Sequence, residues 1–500
     1  MLELKWILDL KKYETSTIKS GDWQLNYPEL INSSITISYI LKKLGLNSQE
    51  CVVIIMKNTP GLVASILGVF LNQSVIVPLY FDLPLNLIKD ILKRCLPRIL
   101  IVDDIAKKKE LLELVSDIGI GCICIGHNTE NRTVSINILA NPRPTYSVRV
   151  YNDGVCEILF TSGSTGPPKG VLLTYNNLSC CIEGISNYIG INCTDIILIT
   201  KPLAHSSSIN GELFLGLSLG ASIVLDSNLL LTSRLVNMIE KEKITVFFTV
   251  PTILELLRKS DMFKRLNDKS ELRIIHFYGA PASEDLVKKI LMDMPTINIF
   301  YGYGLTEASP RVTYIEKNNL LSNIKSSGKA ISGVDIKIYL EDGNIANIYE
   351  RGEIVVSGPT IMKGYLDEED LTAIKLKDGN LHTGDIGWID DNGYLYVCGR
   401  MDDMINRGGL NIYPTEIENI LLENPDITAA VVIGEYDSIS NNKIVAYVEL
   451  SDDSMLTVAD IVRLCRKKLD PRKVPTVINI VDHLERTISG KIKRRIINKN

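Results

Sequence analysis

Short apolar runs alternate with segments of helical apolar spacing through the first three hundred residues. Val52-Val53-Ile54-Ile55-Met56, Val75-Ile76-Val77, Ile99-Leu100-Ile101-Val102 and Cys122 to Ile125 read as strands. Pro60 to Leu71, the stretch from Pro84 to about Arg94, and Ile105 to Val115 read as the helices between them. Strands that are apolar throughout, separated by helices, predict a parallel sheet covered on both faces. Residues 1–50 read as a short helix, a loop and a helix near Ile35 to Leu46. Residues 127–150, polar and proline-containing, read as a connecting loop.

The alternation then resumes. Helices are predicted for Asn176 to Tyr188, Gly211 to Leu219, Thr232 to Lys241, from Pro251 onward, and Ser283 to Asp293. Strands are predicted at Ile196 to Thr200, Ser222 to Leu225, Val246 to Val250, Leu272 to Phe277 and Asn298 to Tyr301. After residue 325 the pattern shifts to strands with Gly/Asp turns, at Asp335 to Leu340, Gly352 to Ser357 and Gly393 to Cys398, which predicts a small β subdomain. From Met401 a compact α+β segment follows. It has helices at Thr415 to Glu423 and Val458 to Leu469, and strands at Ala429 to Ile433 and Ile444 to Leu450.

Composition adds mainly exclusions. At 500 residues the chain exceeds one core, so at least two domains are expected. A net charge of −5 offers no general attraction to nucleic acid or anionic membrane. No signal-peptide pattern and no apolar run long enough to span a bilayer is seen. Ten cysteines without a CxxC pair, several inside apolar runs, suit buried thiols in a reducing compartment. A cytoplasmic protein without a structural metal is therefore expected.

One stretch interrupts the pattern with chemistry. Thr161-Ser162-Gly163-Ser164-Thr165-Gly166-Pro167-Pro168-Lys169-Gly170 sits between the apolar runs Ile158 to Phe160 and Val171 to Leu173. Its glycines allow inward-facing N–H groups, its hydroxyls add donors, and Lys169 adds a charge, so it suits a polyphosphate. It is not a Walker A loop, which needs Gly-Lys-[Ser/Thr] opening a helix. Read alone, it is equally a flexible hairpin turn.

Other clusters are individually weak. Tyr301-Gly302-Tyr303-Gly304-Leu305-Thr306-Glu307 follows a predicted strand, where ligands bind in open α/β sheets. An aromatic face, a hydroxyl and a carboxylate there suit a nucleotide with Mg²⁺. Thr383-Gly384-Asp385 and Gly399-Arg400 bracket the β segment, and Asp385 could accept from ribose hydroxyls. Lys491 lies on a Gly/Ser loop in a basic tail, and His205 in Pro202-Leu203-Ala204-His205 is a lone histidine without triad partners. As a turn, a surface carboxylate and a solvated lysine, each also has an ordinary structural reading.

In this order and spacing, these blocks resemble the adenylate-forming superfamily of acyl- and aryl-CoA synthetases, stand-alone adenylation domains and luciferases. The resemblance runs from about Val52 to Lys491. It includes Gly352-Glu353-Ile354, Gly364-Tyr365, His382 to Ile405 and Asn411 to Glu418. It implies an α/β fold: a large N-terminal domain of layered sheets with a small β subdomain (residues 1–399), and a small mobile α+β C-terminal domain (residues 400–500). It implies that a carboxylate and ATP give acyl-AMP and pyrophosphate, and that a thiol then takes the acyl group.

By motif position, the resemblance assigns the β- and γ-phosphates to Thr161, Ser162, Gly163, Ser164, Thr165, Gly166 and Lys169. Adenine goes to Tyr303, the lining of the adenine and acyl pockets to Gly279, Ala280 and Pro281, the α-phosphate to Thr306, Mg²⁺ to Glu307 and ribose to Asp385 and Arg400. Lys491 is implied to bridge the substrate carboxylate and the α-phosphate, Asp402 to be a hinge, and Gly408 and Gly409 to flank a thiol channel. The acid pocket is expected around His205, Phe277, Tyr301 and Gly304. These mix apolar, small and aromatic side chains, which favours an uncharged medium-chain or aromatic acid. Ser206-Ser207-Ser208-Ile209-Asn210 lacks the carboxylate that would hold an α-amino acid's ammonium. ATP, Mg²⁺ and either CoA or a phosphopantetheinyl carrier protein are the implied partners. The basic helix near Val458 suits either acceptor.

Overall fold

A computed structural model describes residues 5–103, 108–128, 133–144, 146–161, 168–226, 231–407, 410–424, 426–437, 441–451, 453–486, 492 and 494. The apolar runs become two large sheets. An eight-stranded sheet has at its centre the parallel strands Cys51–Ile55, Val75–Leu79 and Ile99–Val102, each buried along its whole length. A nine-stranded sheet is built around the parallel strands Ile196–Ile199, Ser222–Leu225, Val246–Thr249, Ile274–Tyr278 and Asn298–Gly302.

Alternation of side chains along each strand sends neighbours to opposite faces. The two inner faces share one core with Tyr27–Lys43, Pro60–Leu71 and Tyr175–Ile189. The outer face of the nine-stranded sheet is covered by Thr232–Lys241, Pro251–Lys259, Phe263–Lys269 and Glu284–Asp293. Leu85–Cys95 and Lys108–Ile118 cover the outer face of the other sheet. The result is five layers, α/β/α/β/α. A five-stranded sheet containing Asp335–Tyr339, Gly352–Ser357 and Asn380–Ile389 is attached to them.

The C-terminal segment has its own core. It gathers the helices Pro414–Leu422 and Val458–Lys468 onto the strands Ile427–Asp437, Asn441–Leu450 and Val477–Val481. Thr457 and Asp460 form a reciprocal cap at the start of the basic helix. Among the described residues, no helix is long and apolar enough to cross a membrane.

Four expectations are corrected. Residues 127–150 are not all loop: Gly121–Asn128 continues into that region, and Thr133–Ala140 pairs with it antiparallel at the sheet edge. An edge strand can carry polar residues at every second position, and Thr133, Ser135 and Asn137 concealed it. The helix expected near Ile35 begins at Tyr27, because Asn26 and Glu29 cap it reciprocally and Pro28 stands in its first turn. The loop before it contains a hairpin, Thr17–Ser20 with Trp23–Asn26, that extends the nine-stranded sheet. The helix expected over Gly211 to Leu219 is instead a short helix Ser206–Ser208, a π-turn Ile209–Phe214 and a helix Leu215–Ser218. Such π-turns are frequent at functional sites.

Candidate functional site

The phosphate-loop stretch begins and ends on paired strands. Val155–Thr161 and Lys169–Thr174 run antiparallel, with Thr161 opposite Lys169 as the last pair. Ser162, Gly163, Ser164, Thr165 and Gly166 lie outside the described residues. The base of this hairpin is pinned from two sides. Gly364–Tyr365 pairs with Val171 and Leu172, and the Leu366 amide donates to the Gly170 carbonyl at 2.8 Å. Arg94 donates to the Pro168 and Leu366 carbonyls at 2.7 Å each, with its guanidinium 5.6 Å from the Phe160 ring centroid.

Tyr365 also reaches the second cluster. Its hydroxyl donates to Glu307 Oε1 at 2.9 Å, and Lys169 Nζ lies 5.9 Å from its ring centroid. Glu307 stands in the 3-10 turn Thr306–Ala308, directly after the strand Asn298–Gly302. The Met362 amide bonds the Glu307 carbonyl, and Ser309 Oγ bonds the Thr360 carbonyl, so residues 360–365 brace this turn. Gly304 is required for close packing, since a Cβ there would lie 1.8 Å from the Pro310 carbonyl oxygen.

A third cluster adjoins it. The Tyr303 hydroxyl donates to Asp385 Oδ2 at 2.5 Å, while Arg400 Nη1 donates to Asp385 Oδ1 at 3.0 Å. Asp385 and Arg400 are register partners on adjacent strands. Burial pushes the Tyr303 hydroxyl well up, and the neighbouring Asp385 carboxylate adds to it. Thus Thr161, Lys169, Tyr303, Glu307, Asp385 and Arg400, spread over 240 residues of sequence, form connected clusters at the strand ends. Gly279, in the left-handed region at φ 88°, and Ala280 are exposed, and Ala280 accepts from the Tyr301 hydroxyl.

The other expected positions are less unified. His205 Nδ1 faces the Ser207 amide at 3.3 Å and hydroxyl at 3.0 Å. Phe277 is fully buried and stacks on Tyr301 in the outer core, on the sheet face opposite His276 and Tyr278. Asp402 is exposed in the 3-10 turn Met401–Asp403. Gly408, Gly409 and Lys491 lie outside the described residues.

One feature escaped the sequence reading. Lys201 Nζ pairs with Glu212 Oε1 at 2.6 Å and bonds the Tyr278 hydroxyl at 2.6 Å and Ser207 Oγ at 3.2 Å. Tyr278 also donates to Glu212, and the Arg311 guanidinium lies 3.7 Å from the Tyr278 ring centroid. Burial pushes the Glu212 carboxyl up and the Lys201 ammonium down, and each charge pulls the other back. The usable signal was a charge inside an apolar run, as in Gly211-Glu212-Leu213-Phe214.

Glu157 is a second such charge. It is fully buried in the strand leading to the phosphate hairpin and accepts from Asn210 Nδ2 at 2.8 Å. Burial pushes its carboxyl up from 4.5 to about 8, against the pull of the Asn210 hydrogen bond. Between those values the folded chain holds a proton that the unfolded chain releases. Stability from this group is therefore complete below pH 4.5 and is lost as pH rises through about 8. Glu157→Gln is expected to gain on the parent by a few kcal/mol, in order of magnitude, as pH rises from about 5 to 8. Thermal midpoints across that range test this, and parallel pH profiles for the two proteins contradict it.

The site fits Mg²⁺ only together with a nucleotide. Among the described residues, no group of three or more His, Cys, Asp or Glu gathers to hold a metal. One braced carboxylate, Glu307, completed by phosphate oxygens, matches how Mg²⁺ is normally held.

Known proteins match most of the chain. A model of the AMP-binding enzyme family matches residues 10–366, and one of the AMP-binding enzyme C-terminal domain matches residues 416–491. A feruloyl-CoA synthase from an Amycolatopsis species is 30% identical over 95% of this chain and 94% of its own length. A 2-succinylbenzoate–CoA ligase from Bacillus mycoides is 31% identical over 78% of this chain and 81% of its own. The o-succinylbenzoate CoA synthetase of Bacillus subtilis, solved with its acyl-adenylate intermediate, superposes with a TM-score of 0.85 at 25% identity. That alignment covers 99% of this chain and 98% of that one. The same enzyme solved with ATP and magnesium superposes with a TM-score of 0.84 at 25% identity, covering 99% of each chain.

Proposed function

We propose, for a chain that belongs to the AMP-binding enzyme family and is an AMP-forming acid–thiol ligase, a specific division of labour among its residues. The enzyme joins a carboxylic acid to ATP as an acyl-adenylate, releases pyrophosphate, and passes the acyl group to CoA. The observation that carries the residue assignment is the joining of Tyr303 to Asp385 and of Glu307 to Tyr365, directly beside the hairpin base at Thr161 and Lys169.

In this reading, Tyr303 with Gly279 and Ala280 holds adenine, and Asp385 with Arg400 holds ribose. The hairpin from Thr161 to Lys169, including Ser162, Gly163, Ser164, Thr165 and Gly166, grips the β- and γ-phosphates. Thr306 binds the α-phosphate, and Glu307 holds the Mg²⁺ that arrives with ATP. That cation supplies neutralisation of phosphate charge. A carboxylate attacking the α-phosphate brings like charges together, and Lys491 between them lowers that repulsion in a site closed to water. The bond from the α-phosphorus to the bridging oxygen breaks, and pyrophosphate leaves with the electron pair. The domains divide near residues 399 and 400, and Asp402 is the hinge. Its turn withdraws Lys491 so that the CoA thiol, passing Gly408 and Gly409, attacks the acyl carbon and expels AMP.

The relatives named for ferulate, indoleacetate and 2-succinylbenzoate support an aromatic acid as substrate. Seven buried cysteines among ten support a reducing compartment, the cytoplasm. A panel of aryl and alkyl acids, read by pyrophosphate release and CoA thioester formation, tests the assignment of acid and acceptor. Thioester appearing only on a carrier protein contradicts CoA.

Tyr365→Phe keeps the ring and removes the brace on Glu307. Partners that orient a metal ligand are typically worth 10–100-fold in metal affinity. The Mg²⁺ concentration for half-maximal pyrophosphate release is expected to rise by about 10-fold. Thioester formation from supplied acyl-adenylate should be unchanged. An unaltered Mg²⁺ dependence contradicts the role of Tyr365.

A further inference from the structure

The buried polar network beside the π-turn does not balance its charge. Lys201 and Glu212 sum to zero whichever of them carries the proton. His276, fully buried, is held neutral: burial pushes its pKa well down, and the Arg311 and Lys201 charges push the same way. Glu157 faces Asn210 and is mostly protonated at neutral pH. Arg311 therefore adds an uncompensated positive charge. It is 1% exposed, and its Nε and Nη2 atoms have no hydrogen-bond partner.

The Tyr278 ring beneath the guanidinium offsets part of this through a desolvated cation–π contact. A buried guanidinium without a counter-ion costs more than one such contact returns, so the ring alone does not balance it. Glu212 lies within the field of Arg311, but its one bonded oxygen is taken by Lys201 and Tyr278. Beside the unpaired donor, the absence of a side chain at Gly211 leaves room for a methyl: a Cβ built there would stand 3.6 Å from Arg311 Nη2 and 3.5 Å from Pro310 Cγ, ordinary contact distances. The network extends through Lys201 and Ser207 to the part-exposed His205, at the expected edge of the acid pocket.

We infer that Arg311 is the receptor for a second anionic group at the far end of the acid, so the substrate is a dicarboxylate rather than an uncharged acyl or aryl monoacid. This rests on the ligase reading above and refines its substrate class. An unpaired guanidinium fork matches a carboxylate in geometry as well as charge, with two parallel N–H donors for two oxygens. A monoacid of the same length would leave the fork unpaired, which is why sites of this kind reject the analogue that lacks the partner group.

The test pairs acids that differ only in the second carboxylate: hexanoate against adipate, and phenylacetate against homophthalate. With ATP, Mg²⁺ and CoA, kcat/KM from pyrophosphate release is expected to favour the diacid of at least one pair by about 100-fold or more. Arg311→Met should remove that preference by lowering kcat/KM for the diacid far more than for the monoacid, and Arg311→Lys should restore part of it. A direct readout needs no variant: the diacid, and not its monoacid partner, should raise the thermal midpoint of the parent enzyme. Turnover of monoacids with equal or greater efficiency overturns the inference, as does a diacid preference that survives Arg311→Met. If no acid of any kind releases pyrophosphate, the ligase reading itself falls and this inference falls with it.

Discussion

Replacing Lys491 by alanine is expected to lower acyl-adenylate formation by roughly a hundred- to a thousandfold, the range seen when one preorganised group that stabilises developing charge is removed. The reason is specific to the first half-reaction. Only there does an anionic carboxylate approach an anionic phosphate, so only there does the ammonium bridge two like charges. In the second half-reaction the leaving group is AMP and the nucleophile a thiol, and the lysine has moved away. Thioester formation from supplied acyl-adenylate should therefore continue near the parent rate. Arg494, close beyond Lys491 in the chain, forks onto the buried Glu418 at 2.5 and 2.6 Å. The C-terminal fold near the lysine is thus anchored independently of it, and the alanine variant should remain folded. Measuring the two half-reactions separately checks this. Equal loss in both contradicts the assignment.

The second large effect concerns Asp385. Its two carboxylate oxygens are each occupied, one by the Tyr303 hydroxyl and one by Arg400. Asp385→Ala takes the acceptor from the Tyr303 hydroxyl, leaves Arg400 Nη1 only its 3.3 Å bond to the Thr383 carbonyl, and removes the acceptor for ribose. Losing a hydrogen bond to a charged group costs about 1.5–3 kcal/mol, so ATP affinity should fall by about 100-fold. The effect should appear in KM for ATP and leave KM for the acid nearly unchanged. Arg400 is partly exposed, so its lost ion pair contributes little to folding after solvent screening. A variant with normal KM for ATP but a depressed thermal midpoint would mean that Asp385 is a structural tie between the two strands.

The parallel sheets were legible because their strands are buried on both faces and read as uninterrupted apolar runs, as Cys51–Ile55 does. Thr133–Ala140 was not, because an edge strand with one solvent-facing side resembles a polar loop. The early start of the helix Tyr27–Lys43 was readable in principle from Asn26, Pro28 and Glu29, whose caps act outside the apolar pattern. The π-turn Ile209–Phe214 could not be separated from an α-helix by periodicity, since one inserted residue in six barely shifts the apolar spacing.

The candidate site divides in the same way. Residues named by local motifs, such as Tyr303, Glu307 and Asp385, were visible, but their contacts join positions up to 82 apart and only the fold supplies them. Tyr365 was visible as part of a motif and not as the brace on Glu307. Lys201, Glu212 and Arg311 belong to no motif. They stand out only once the fold sets the buried Arg311 beside a carboxylate that Lys201 already pairs.

The most direct test of the central claim follows oxygen. The acid, labelled with ¹⁸O in its carboxylate, is turned over with unlabelled ATP and CoA, and the products are examined by mass spectrometry. Attack of the carboxylate on the α-phosphate followed by thiolysis leaves one labelled oxygen in AMP and none in pyrophosphate. Label in inorganic phosphate with formation of ADP, or AMP without label, would contradict an acyl-adenylate route.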